Sequence, residues 1–257
     1  MPRWFLAILF SVIFLAVLVA GLPASLVARQ ANLKGAGFDY MRISGTLWSG
    51  EISRLHLAGQ PLGEVEFRLK PAALLSGRLA YDVSIDGTAM HARGQAETGF
   101  DRNLTLRDMV ADVNVQALNR LDPRLRQSPA TLAVTVRELS IARDRSCRRA
   151  DGGVRTDLLQ SVGQRWDWAG PEMRGVLSCE QGVFSVAMSG SGADDDIRAQ
   201  ARFDARRAVY DVDAQVSTTN RGVAQALRTL DFVAEDGVFT YSRSNDPQQA
   251  VEGELQN

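Results

Sequence analysis

The sequence predicts an all-β fold with a few short helices, a long curved antiparallel sheet or half-barrel preceded by one N-terminal transmembrane helix. Three observations carry this. One uncharged apolar run opens the chain. Beyond about residue 40, apolar residues recur at every second position, the period of a strand with one buried face. Gly-containing turn dipeptides punctuate those segments.

The apolar run extends from Trp4 to Leu22, WFLAILFSVIFLAVLVAGL, without a charge. At about 1.5 Å per residue such a helix is roughly 28 Å long, enough to cross a hydrocarbon core. A cleaved signal peptide would have a shorter core and small residues before its cleavage site. Leu18 and Leu22 fit that site poorly. A retained anchor is therefore expected, and Pro23 ends the helix at the membrane surface. Flanking charge leaves orientation open: Arg3 and the terminal amine precede the run, and Arg29 and Lys34 follow it.

The expected organisation is a cytoplasmic tip (1–3), a membrane helix (4–23), a linker (24–40), one periplasmic β-rich domain (41–241) and a flexible polar tail (242–257). Glu64–Lys70 alternates cleanly, with Val65, Phe67 and Leu69 on one face. Arg78–Ile85, Thr131–Val136, Phe184–Ser189, Ile197–Phe203 and Tyr210–Val216 repeat the pattern. Strands of this kind form antiparallel sheets wet on one side, and about ten to twelve of them would curl or close. Asp86-Gly87, Asp151-Gly152-Gly153 and Asp236-Gly237 read as turns. Pro71–Gly77 has the Pro-first, Gly-last polarity of a short helix. Gln116–Leu121, Thr156–Val162 and Asn220–Phe232 are further helical candidates, expected as lids or crossovers on the sheet.

Two cysteines, Cys147 and Cys179, stand outside any CxxC pair, so zinc and thioredoxin-type readings have no support. An even count behind an export-type N-terminus predicts one disulfide and an oxidising compartment, which places the domain in the periplasm and the N-terminus in the cytoplasm. Closing a loop of about thirty residues would contribute roughly 3.5–4 kcal/mol.

Chemistry is sparse. The net charge of −1 excludes a dedicated nucleic-acid binder. Lys34 and Lys70 are the only lysines; the scattered arginines read as codon preference. His56 and His91 sit on alternating strands, where a solvated histidine is the ordinary reading, and no catalytic or phosphate-binding motif occurs. Asp194-Asp-Asp196 lacks the ligand spacing of a calcium loop and reads as a solvated hairpin tip. Trp166-Asp-Trp168 reads as a cap on the sheet core, with a contact surface as its alternative. No catalytic residue, cofactor or metal site is expected.

Several segments together bear a family likeness. Gly45-Thr46-Leu47-Trp48-Ser49-Gly50 follows soon after the anchor. Pro71, Leu74, Leu75, Gly77 and Arg78 lie in Pro71-Ala-Ala-Leu-Leu-Ser-Gly-Arg-Leu79, and Trp166, Trp168 and Gly175-Val-Leu-Ser-Cys-Glu-Gln-Gly182 come later. In this the chain resembles protein N of the bacterial type II secretion system, with Phe67 where the family pattern carries Trp. The resemblance implies an inner-membrane accessory or scaffold component, not an enzyme, that works by contact with other inner-membrane subunits during protein export across the outer membrane. The alternative reading is a membrane-tethered β-groove that binds or transfers lipid or another hydrophobic ligand.

Overall fold

Period-two alternation becomes antiparallel strand after antiparallel strand, so the fold is all-β with a few short helices. The structure is a computed structural model that describes residues 21–30, 38–57, 59–118, 126–163 and 168–246, with Trp4 and Phe10. The membrane helix over 4–23 therefore lies largely outside the described residues, as does most of the tail. Among the described residues no helix is long and apolar enough to cross a membrane.

The chain forms two compact units, Met1–Arg93 and Gly94–Asn257. In the first, β1 (Phe38–Asp39) and β2 (Arg42–Gly45) both pair with β3 (Ser49–Leu57), which continues to β4 (Gln60–Leu69) and β5 (Leu79–Asp86). Each pairing is antiparallel. Helix α1 (Ala24–Gln30) occupies part of the stretch expected as linker and packs on β2, with Ala24 and Ala28 buried. Val65, Leu69 and Leu55 are buried on one face, Ala80 is buried on the other, and Phe67 meets Tyr81 edge-on with ring centroids 6.0 Å apart. A bulge at Arg54, whose φ is +52°, shifts the register between Ile52 and Leu55. Helix α2 (Pro71–Leu74) connects β4 to β5 with no buried residue. Strand β6 (Met90–Thr98) carries the chain into the second unit.

The second unit is a meander of β7 (Leu104–Asn114), β8 (Thr131–Ile141), β9 (Cys147–Thr156), β10 (Met173–Glu180), β11 (Val183–Ser191), β12 (Asp195–Asp204), β13 (Val209–Thr218) and β15 (Val238–Ser244). Short β14 (Val233–Glu235) returns along β15 through Asp236-Gly237, both with positive φ, the geometry of a type I′ turn. Helix α3 (Leu158–Gly163) joins β9 to β10. Helix α4 (Arg221–Arg228) is capped by Asn220, whose side chain accepts from the backbone N–H groups of Gly222 and Val223.

Four expectations are corrected. Asp151-Gly152-Gly153 is not a turn but lies inside β9. A Cβ on Gly152 would fall 2.5 Å from the Thr135 carbonyl oxygen, so the glycine permits a close approach between β8 and β9, beside a register shift at Arg137. Thr156 ends a strand rather than opening a helix. Residues 116–121 give only a 3-10 turn, Val115–Ala117, with 119–121 outside the described residues. The tail also begins later than expected: β15 runs to Ser244, and Asn245 accepts from the Tyr210 backbone N–H at 2.6 Å.

Several arginines of the second unit are paired with carboxylates. They form cross-strand or same-strand ion pairs on the polar face of the second unit: Arg107 with Glu97 and Glu138, Arg149 with Glu138, Arg155 and Arg174 with Glu172. Single exposed pairs of this kind contribute little, but side by side they keep that face wet and the apolar face turned inward.

Candidate functional site

No metal-ligating cluster of His, Cys, Asp or Glu occurs among the described residues. His56 Nδ1 lies 3.0 Å from the Arg54 carbonyl oxygen, and exposed His91 pairs with Asp86 at 2.9 Å. What the structure does assemble is a corner in the first unit and an apolar surface in the second.

The corner is built on the Gly45–Gly50 turn. Gly45 has φ +91°, a conformation that disfavours a side chain, and its neighbour Thr46 donates its N–H to the Ser49 carbonyl. The Thr46 hydroxyl accepts from the Trp48 N–H at 3.3 Å. A Cβ on Gly50 would meet the Phe67 ring at 2.7 Å, so the glycine makes room for the aromatic that stands where the family pattern carries Trp. Two other stretches of chain converge on this turn. Leu47 N–H donates to the Leu22 carbonyl (3.0 Å), and Pro23 bridges to Thr46. Leu69 N–H donates to the Trp48 carbonyl (2.7 Å), which brings in the end of β4 and the α2 segment beyond it. In that segment Gly77 has φ +68°. Its N–H bonds the Leu74 carbonyl and the Arg78 N–H bonds the Ala73 carbonyl, the two bonds of a Schellman cap. So Gly45–Gly50, Pro71, Leu74, Leu75, Gly77 and Arg78, far apart in sequence, share one end of the first unit's sheet. Tyr81, half-buried behind them, has its phenol pKa raised by burial.

The surface belongs to the second unit. Register stacks the apolar positions of β11, β12, β13 and β15 into four rows. Gly190, Ile197, Val216 and Phe239 form the first, then Met188, Ala199, Ala214 and Tyr241, then Val186, Ala201 and Val212, and last Phe184, Phe203 and Tyr210. Val223 and Leu227 of α4 cover the first row, with Met173, Leu159 and Trp168 packed around it. No helix residue joins the last row among the described contacts of that core, and there Phe203 is 45% and Tyr210 37% exposed. Phe184 and Phe203 lie 6.5 Å apart between ring centroids.

Trp168 and the cysteines sit at opposite ends of this face. Trp168 packs at the covered end, and its indole N–H donates to Asp195; Thr218 donates its hydroxyl to the same carboxylate. Asp194–Asp196 is therefore not wholly a solvated tip: Asp194 and Asp196 are exposed, but Asp195 is buried. Sequence alone could not reveal this, because the donors come from 27 and 23 residues away. Trp166 lies outside the described residues. Cys147 and Cys179 form a disulfide at the open end, with Cα atoms 5.6 Å apart, and Cys179 stands opposite Phe184.

Asp204, also missed from sequence, closes the turn between β12 and β13. Its side chain is 4% exposed. Bonds from the Arg206 guanidinium above all, then from Arg207, hold its carboxyl well below the usual carboxylate range against the opposing effect of burial. Arg207 also reaches Asp246 at 3.3 Å, tying the stretch just after β15 to this turn. Asp144 is lowered as well, chiefly by the Ser146 hydroxyl and then by the Ser146 N–H.

The family model for "Type II secretion system (T2SS), protein N" matches residues 36–242. A protein of Aeromonas hydrophila named type II secretion system protein N is 35% identical over 130 residues, covering 50% of each chain. Its namesake from Vibrio cholerae is 31% identical over 93 residues, 36% of each chain. The aligned stretches thus span half the length of the first relative and just over a third of the second. No solved structure matches. The family match takes in the Gly45–Gly50 corner, both cysteines and the whole four-row apolar face, and the chain belongs to the type II secretion system protein N family.

Proposed function

We propose that this protein is a non-catalytic scaffold of the type II secretion apparatus, held in the inner membrane by residues 4–23 and working through contacts of its periplasmic units with other inner-membrane subunits. Family membership supports the process. The observation that carries the mode of action is the apolar face of the second unit, covered by α4 at one end and half-exposed at Phe203 and Tyr210. Apolar surface of this kind, continuous along a sheet, is typical of a docking surface. The disulfide supports an oxidising compartment for the same unit. Full-length protein purified from membranes should bring down other apparatus subunits, and Phe203→Asp should abolish that without loss of folding. Undisturbed secretion after deletion, with no apparatus subunit co-purifying, would discard the reading.

The same open rows also favour a second reading, a lipid or hydrophobic-ligand groove. Native mass spectrometry of the full chain distinguishes the two. Retained phospholipid that disappears in Phe203→Asp supports the groove; its absence supports the scaffold.

A further inference from the structure

The end of the first unit built on Gly45–Gly50 has a surface that the sheet core does not explain. Leu74, the last residue of α2, is 38% exposed and Leu75, in the turn after it, 93%; the helix itself has no buried residue. The Schellman cap at Gly77 fixes the turn that holds them outward, so their exposure is built into the backbone. Leu79, the first residue of β5, is 41% exposed, and Leu26, in the first turn of α1, is 49% exposed. Residues 22–30, 45–50 and 71–79, which make up this end, contain no carboxylate, while Arg29 and Arg78 are exposed within it. The opposite end of the same sheet differs: the Asp86-Gly87 turn carries Asp86 and His91.

The chain enters this end from the apolar run. Leu22, the last residue of that run, is held by the Leu47 N–H at 3.0 Å, and Pro23 is bridged to Thr46. No free linker separates the run from the sheet: the first residue after it is already paired. If 4–22 crosses the bilayer, Leu47 and the α2 segment are within a few residues' reach of its surface.

We infer that the Leu74–Leu75 turn is a second membrane contact, inserted into the interfacial region of the anionic bilayer from which the N-terminal helix emerges. Exposed leucines, flanking arginines and the lack of acidic groups suit the boundary between acyl chains and negatively charged headgroups. The pairing of Leu22 with Leu47 orients the unit so that this end faces the bilayer. A single helix alone would leave the domain free to swivel; two contact points fix its tilt. This inference rests on the anchored reading of residues 4–23.

The test uses the full chain reconstituted in vesicles of phosphatidylethanolamine and phosphatidylglycerol, with the native disulfide intact. A polarity-sensitive fluorophore is placed in turn at Leu75→Cys, at Thr88→Cys in the opposite turn, and at Phe10→Cys in the apolar run. Quenching by spin-labelled lipid is expected at Leu75 and Phe10 and not at Thr88, with a blue-shifted emission at Leu75. Quenching at Phe10 with none at Leu75 overturns this inference and leaves the anchor standing. No quenching at either position overturns both. Equal quenching at Leu75 and Thr88 overturns the inference as well, since it shows unoriented adsorption. Leu74→Asp with Leu75→Glu, neither of them a buried position, should release a probe placed at Ser76→Cys from lipid; persistent quenching there overturns the inference.

Discussion

Asp204 and Asp195 are both buried carboxylates, yet they are satisfied differently. Asp204 is held by the guanidinium groups of Arg206 and Arg207, which favour its charged form. An aspartate in an unfolded chain titrates near about 3.9; in the fold this one titrates lower. Its contribution to stability is therefore complete above the unfolded value and is lost as the pH falls toward the folded one. Asp204→Asn should lower the melting temperature at pH 7, and the gap to the wild type should narrow progressively as the pH falls below the unfolded aspartate value. A gap that persists in acid would assign the effect to shape and not to charge. Asp195 has neutral donors, Trp168 and Thr218. Trp168→Phe keeps most of the ring in the core and removes one donor, so chemical denaturation should show a loss of about 1–3 kcal/mol. Neither aspartate is conspicuous in the sequence. Asp204 sits in an ordinary Asp-Ala-Arg-Arg turn, and Asp195 hides in an acidic triplet whose neighbours are solvated.

Elements follow their sequence signals where the signal is local. Asn220 caps α4 because an Asx side chain before a helix accepts the free N–H groups of its first turn. The Pro71–Gly77 polarity gives a real helix that ends in a Schellman cap. Glycines are ambiguous by comparison. Asp236-Gly237 turns the chain, while Gly152 and Gly153 stay in a strand, because only the neighbouring strand decides whether a missing Cβ is used for a bend or for a close approach. Gly50 is of the second kind. Gly50→Ala should destabilise the first unit by about 1–3 kcal/mol through overpacking, first against the Ser44 carbonyl oxygen and then against the Phe67 ring. Truncating Phe67 to Leu in the same background should restore part of that loss in a double-mutant cycle. The disulfide fastens the start of β9 to β10 beside the open end of the apolar face. Replacing both cysteines by serine should cost about 2–5 kcal/mol, measured by urea unfolding of the oxidised and variant proteins.

At the scale of the whole molecule, stability and interaction are assigned to different parts of the same sheet face. Phe239 is buried under α4, whereas Phe203, a few strand positions along, is half-exposed. Phe239→Ala should cost about 3–5 kcal/mol. Phe203→Asp should cost less, roughly 1–2 kcal/mol, because only about half of the ring is buried, while removing the partner contact. Thermal melts of both variants beside co-purification separate the two roles. By itself the sequence determined the all-β class, the alternating faces, the paired cysteines and the family, because strand periodicity is written in nearest neighbours and a motif in short runs. Only the tertiary structure decided that the chain forms two compact units, that α4 covers one end of the apolar face and not the other, and that Gly45–Gly50 meets Leu22 and the end of β4. Those outcomes depend on strand register and on which distant donor reaches which acceptor. Such pairings join residues tens of positions apart, and no local pattern encodes them.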